Sequence, residues 1–283
     1  MGMPELPEVE ITARRIGTAI RGATVESTLA PGLNALKTFD PPLSALDGQA
    51  VSAIRRRGKL FLVDFDANFT ALIHLMSAGR LQLFDQRASL RDRTSRLLVR
   101  LSDGRELRLR EVGTRQRAWV KLLRTPDVAS EETLAALGPE AWPDPPELAP
   151  LLDEPRPLYT LLRDQHVIAG IGRSWTDEIL HRAKLSPFKR GNDLDPDEAA
   201  ALRAATVETL QRALDHYEAV VQLPIPDKLP LPLTVHRHQG ESCPRCGDRL
   251  EAVFYEDYVM CYCPTCQTDG KLLKDRRLSR LLK

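Results

Sequence analysis

An α+β chain in more than one domain is what the sequence predicts, on three observations. Short alternating or apolar segments fill residues 50–123, helical periodicities take over after a proline-rich break, and two Cys-x-x-Cys pairs lie near the end. With 283 residues, 42% of them hydrophobic, the chain is long enough to bury two cores.

The first element follows MGMPELPEVE. Pro7 has the fixed φ of a first helical position, Glu8 and Glu10 favour the positive end of a helix dipole, and Val9, Ala13, Ile16 and Ile20 recur at helical spacing before Gly22. A helix is predicted from Pro7. LFLVDF, TALIHL, RLQLF, RLLVRL, ELRLR and AWVKLL then read as antiparallel strands, with Ser102-Asp103-Gly104 a tight turn between two of them. Pro139, Pro143, Pro145, Pro146, Pro150 and Pro155 break every periodicity and read as an interdomain linker over 139–156. The clearest later helix starts at Asp195-Pro196-Asp197-Glu198, an N-cap with proline at the first position, and Val207, Leu210, Leu214, Tyr217 and Val221 mark one face. A second proline cluster, LPIPDKLPLPL, ends it.

Charge is balanced overall, with 40 Lys plus Arg against 39 Asp plus Glu, but not along the chain. Arginine is dense over 55–57 and 91–117, and the final KLLKDRRLSRLLK is basic, so one positive surface for an anionic partner is expected. No apolar run approaches 18 residues and no basic-then-apolar leader opens the chain, so a cytoplasmic protein with no membrane partner is expected.

Cys243 and Cys246 are separated from Cys263 and Cys266 by sixteen residues. Four thiolates at that spacing close a tetrahedron around zinc, which predicts one structural Zn2+ per chain in a ribbon. A site with four protein ligands has no open position, so chemistry must lie elsewhere. Cys261 stands two residues before Cys263 and is read as a spectator on the opposite face.

PELPEVE, the isolated Lys59 after an arginine run, HLMSAGRL at 74–81, LGPE at 137–140, IAGIGRSWTDEIL at 168–180 and the terminal ribbon occur in one order. That order resembles the formamidopyrimidine-DNA glycosylase and endonuclease VIII family over nearly the whole chain. The resemblance implies an N-terminal β-sandwich flanked by helices (1–138), the linker (139–156), a helix-two-turn-helix domain (157–234), and a zinc finger with basic tail (235–283). It implies a monomeric, nucleoid-associated repair enzyme that takes damaged double-stranded DNA, or single-stranded DNA, between its domains. By the same resemblance Pro4 is the nucleophile and Glu5 the acid that moves protons at the sugar. Glu8 matches a second family acid, and Lys59 a hairpin lysine beside the lesion. Met76 and Arg115 match residues that fill the space left by a flipped nucleotide, and Arg173 a phosphate contact.

Six departures matter. Pro4 follows Met1-Gly2-Met3, and a proline nitrogen inside a chain is an amide without a basic lone pair. The expected chemistry therefore needs a chain trimmed to Pro4, and a non-catalytic binder of damaged DNA is the alternative. Met76 stands one residue before the usual methionine position, which Ser77 occupies; Gln116 replaces a stacking phenylalanine; Arg173 replaces an asparagine; and Tyr258 stands where a finger arginine is expected. The loop that covers an everted 8-oxoguanine has no clear counterpart, so the damaged base is left unassigned.

Overall fold

The computed structural model describes residues 3–32, 34–66, 68–89, 92–112, 116–256 and 258–274. Its elements in order are α1 (Leu6–Ile20), β1 (Val25–Leu29), β2 (Val51–Arg57), β3 (Leu60–Phe65), β4 (Phe69–His74), β5 (Gly79–Phe84), β6 (Ser95–Leu101), β7 (Glu106–Glu111) and β8 (Trp119–Arg124). The short helices α2 (Glu132–Ala135), α3 (Leu148–Leu152) and α4 (Leu158–Leu161) follow. The longer α5 (Arg173–Ala183) and α6 (Pro196–Val220), the hairpin β9 (Glu251–Phe254) and β10 (Val259–Tyr262), and α7 (Pro264–Gln267) complete it. The class is α+β, as the sequence predicts. Contacts divide the chain into two units, one of 1–137 with 214–230 and the other of 138–213 with 231–283.

The first unit holds two antiparallel four-stranded sheets, ordered β1-β6-β7-β5 and β2-β3-β4-β8. Ser102-Asp103-Gly104 joins β6 to β7, with Gly104 at φ +93°. β3 lies between β2 and β4 and is buried on both faces: Leu60 and Leu62, with Leu72 of β4, pack against Trp119, Leu123, Leu134 and Leu137. The chain changes sheet three times on the way through, from β1 to β2, from β4 to β5 and from β7 to β8.

Helix α1 begins one residue before the predicted Pro7, because Glu5 acts as its N-cap and Glu8 as the third residue of a capping box. Leu6, Val9, Ala13, Ile16 and Ile20 are buried. Against β2, the Arg56 guanidinium donates to Glu10 Oε2 at 2.9 Å, and a Cβ on Gly17 would meet Ile54 Cβ at 3.3 Å. The helix therefore runs beside β2 with its N-terminus toward the β2–β3 turn.

In the second unit the predicted cap of α6 is present, Asp195 Oδ1 accepting from Glu198 N at 2.8 Å and Glu198 Oε2 from Asp195 N at 3.1 Å. β9 and β10 form a two-stranded hairpin between the two cysteine pairs. No helix among the described residues is long and apolar enough to cross a membrane.

Candidate active site and metal centre

Strand register assembles one end of the first unit. Arg57 pairs with Leu60 across the β2–β3 turn, Leu60 with His74, and His74 with Trp119, so that the Lys59 turn and the ends of β4 and β8 form one row. Gly79 pairs with Glu111, which brings the β4–β5 and β7–β8 crossovers alongside each other. The head of α1, with Pro4 and Glu5, lies toward the same turn. Of the sequence-predicted residues, Pro4, Glu5, Glu8, Lys59 and Met76 are thus gathered at one end. Arg115 lies outside the described residues, as does the basic tail from Asp275 onward.

The acids are held closely. Glu5 and Glu8 are only 3% and 6% exposed. Glu8 Oε2 accepts the Glu5 N–H at 2.8 Å, and Glu8 Oε1 accepts the hydroxyl of Tyr217, from α6, at 2.6 Å. Both oxygens of Glu8 are therefore engaged, which fixes its carboxylate in one orientation. Burial pushes the Tyr217 hydroxyl well above its ordinary range, and the Glu8 and Glu5 carboxylates push it further, so it stays protonated and donates. Pro4 is half-buried, and Lys59 is buried at 8% exposure in the hairpin turn.

His74 was not singled out from the sequence. Its Nδ1 accepts the Met76 N–H at 2.8 Å and its ring stacks on Trp119 at 5.6 Å. Burial, and then the Lys59 charge, lower its pKa to about 4, so it is neutral near pH 7 with its proton on Nε2. That hydrogen bond secures Met76 at φ +51°, a left-handed conformation costly for a residue with a Cβ. Gly79 completes the tight crossover: a Cβ there would come within 2.4 Å of Leu75 O. Gln116 turns inward, accepting from Arg96 Nη1 at 3.0 Å and donating to Arg93 O at 3.0 Å and Glu111 O at 3.1 Å. It ties the second crossover to its own unit rather than offering a stacking face.

In the second unit, the four sulfurs of Cys243, Cys246, Cys263 and Cys266 lie within 4.8 Å of one another. Separations of 3.9 Å for Cys243–Cys266 and 3.5 Å for Cys246–Cys263 bracket the roughly 3.8 Å edge of a tetrahedron with 2.3 Å zinc–sulfur bonds. The donor set and its size fit zinc. Cys261 faces the other way: its sulfur accepts the Arg237 N–H at 3.2 Å, and burial pushes its thiol up to about 11.

Arg173 is the first residue of α5, and its guanidinium lies 4.5 Å over the Tyr258 ring. Tyr258 also stacks on Tyr255 at 4.3 Å, and Arg163 lies 4.7 Å from both Tyr159 and Tyr258. The residue that stands in for the expected finger arginine is therefore a support for two other arginines.

Against known proteins, residues 3–118 match the family model of the formamidopyrimidine-DNA glycosylase N-terminal domain, and 145–223 that of its H2TH domain. A formamidopyrimidine-DNA glycosylase of Pediococcus pentosaceus is 30% identical over 278 residues, covering 94% of this chain and 99% of that protein. The chain belongs to the formamidopyrimidine-DNA glycosylase family. An uncharacterized formamidopyrimidine-DNA glycosylase-like protein of Mycobacterium tuberculosis is 41% identical over 150 residues, 52% of this chain and 95% of that one. Among solved structures, the Lactococcus lactis Fpg (MutM) bound to DNA containing N7-benzyl-Fapy-dG superposes with a TM-score of 0.84 at 26% identity, covering 94% of this chain and 100% of that one. A second complex of the Lactococcus lactis Fpg, with DNA containing an abasic site, gives 0.83 at 26% identity over 93% and 99% of the two chains. The N-terminal match ends before the proline-rich stretch, and the H2TH match begins within it, at residue 145.

Proposed function

We propose that the protein is a base-excision DNA repair enzyme, a glycosylase that also cleaves abasic sites through an amine at Pro4. The observation that carries this is the buried pair Glu5 and Glu8 at the head of α1, directly after a proline and at the same end of the sandwich as Lys59 and Met76. A terminal proline is a secondary amine, and terminal amines titrate low enough to leave a nucleophilic fraction near neutrality. Its lone pair attacks C1′, the bond from C1′ to the base breaks with its electron pair leaving on the base, and the base takes up the proton that the amine nitrogen gives up. Glu5 supplies the proton that the sugar ring oxygen takes up as the nitrogen lone pair opens the ring. The resulting iminium acidifies the C2′ hydrogen. Loss of that proton expels the 3′ phosphate, and a second elimination expels the 5′ phosphate.

Lys59 supplies positive charge beside the reacting sugar, and Met76 with Arg115 fills the stack vacated by the flipped nucleotide. Arg173 contacts a backbone phosphate from its support on Tyr258. The four cysteines hold zinc, which stabilises the finger and takes no part in the chemistry.

The reading requires Pro4 at the terminus, because an amide nitrogen cannot attack. Mass measurement of the mature chain, followed by borohydride trapping on abasic-site DNA, tests it. A chain beginning at Pro4 is expected to form a covalent complex that Pro4→Gly weakens or abolishes. Trapping that is undiminished when the Pro4 amine is acylated would move the nucleophile to a lysine such as Lys59. A mature chain that retains Met3 and traps nothing would make this a binder of damaged DNA without the reaction.

A further inference from the structure

Tyr217 is a buried titratable group, one hydrogen bond beyond Glu8 at the head of α1, that the reaction as written leaves unused. On the sequence it belongs to an apolar helical face, and a phenylalanine would fill the same space. Its hydroxyl is nonetheless aimed, from a ring with 0% exposure, at Glu8 Oε1 at 2.6 Å. The aim is enforced by the element that carries it. The end of α6 is fastened to α1 beside Tyr217: Arg14 Nη1 donates to Glu218 Oε1 at 2.9 Å, Arg15 Nη2 to Glu218 O at 2.6 Å, and Arg15 Nε to Val221 O at 2.9 Å. Those bonds set the register between the two helices, and with it the approach of the hydroxyl to Glu8.

We infer that Tyr217 is a positioning residue for the amine site: by holding one oxygen of Glu8, it leaves the other to hold the Glu5 backbone, and so orients Glu5 and Pro4. This rests on the reading of Pro4 as the nucleophile. A buried carboxylate that loses a charged hydrogen bond either turns toward another donor or takes up a proton, and either response releases its grip on the Glu5 N–H. The first link to fail would be the geometry of Pro4 and Glu5, while the DNA-contacting residues would be untouched. A rate defect at unchanged affinity is the expected signature, because precise placement of the reacting groups is what is lost.

The experiment uses the full protein, shown by mass to begin at Pro4, and compares wild type, Tyr217→Phe, Glu8→Gln and the double variant. Each is measured for the single-turnover rate of borohydride trapping on saturating abasic-site DNA, and for affinity toward duplex carrying the unreactive tetrahydrofuran analogue. Tyr217→Phe is expected to slow trapping by about ten-fold and change affinity by less than about two-fold. In the Glu8→Gln background the same substitution should cost much less, since both act through one carboxylate. If Tyr217→Phe traps as fast as wild type, or loses rate and affinity together, or costs as much without Glu8 as with it, the inference is overturned and the proposed reaction stands. Wild type that begins at Pro4 and traps nothing overturns the reaction, and this inference with it.

Discussion

His74 shows how a single side chain can shape the candidate site by holding its backbone. It holds Met76 in a left-handed conformation through Nδ1, and burial together with Lys59 keeps it neutral, with a pKa of about 4 against an ordinary 6.5. A histidine whose folded pKa is depressed costs nothing above 6.5, because both folded and unfolded states are then neutral. As pH falls below 6.5 the unfolded chain takes up the proton first, so stability is lost progressively and the loss is complete below about 4. The depression corresponds to at most about 3 kcal/mol. Chemical unfolding of the first unit between pH 7 and 4 should therefore steepen in wild type relative to His74→Gln, which retains an acceptor for the Met76 amide but cannot titrate. Parallel pH profiles for the two proteins would show that His74 titrates as it does in water.

At the scale of elements, α5 braces the finger along one helical face. Arg173, Asp177 and His181 fall at successive turns with Glu178 beside Asp177, and each of the four meets a residue from the C-terminal part of the chain. Arg173 lies over Tyr258; Asp177 Oδ2 accepts from His236 Nδ1 at 2.7 Å and from Cys261 N at 3.0 Å; Glu178 Oε1 accepts from the amides of Thr234, Val235 and His236; and His181 Nε2 lies 3.2 Å from Cys243 Sγ. The cysteine spacing and the Gly-Ile-Gly-Arg turn were legible in the sequence because each is a local pattern. The brace was not, because its partners lie 56 to 85 residues away and Asp177 and Glu178 read as ordinary helix-surface acids. Tyr217 was legible only in part: periodicity correctly places its ring on the core face and is silent about what its hydroxyl reaches. The stack on Tyr258 yields a prediction. A cation–π contact contributes about 0.5 to 2 kcal/mol, so Tyr258→Ala should weaken DNA binding by roughly two- to thirty-fold, whereas Tyr258→Phe should keep most of the affinity. In an Arg173→Ala background Tyr258→Ala should add little. Full additivity in a binding assay would show that Tyr258 reaches the DNA by itself.

For the whole molecule, a net charge of +1 leaves little general attraction to DNA, so affinity must come from a few placed cations. Arg173→Ala should accordingly weaken all duplexes alike and reduce the salt slope of binding by about one unit. Arg173 depends in turn on the finger, since Tyr258 lies next to β10 and the brace ends at Cys243, one of the four clustered cysteines. Four cysteines, a four-residue helix and a two-stranded hairpin offer little core of their own: Val235, Leu250 and the buried cysteines make up most of it. In so small a module, metal binding supplies much of the folding energy. The first unit has no such dependence, with two four-stranded sheets and its own buried aliphatic residues. Chelation, or Cys263→Ser, is therefore expected to abolish one zinc per chain, melt the finger and lower DNA affinity at least as much as Arg173→Ala does, while the unfolding transition of the first unit stays where it was. Calorimetry and metal analysis on the same samples decide the matter. Protein that carries no zinc yet binds DNA normally would sink the structural role of the metal. Loss of both transitions together would show that the finger also supports the β-sandwich, and that the two units do not fold independently.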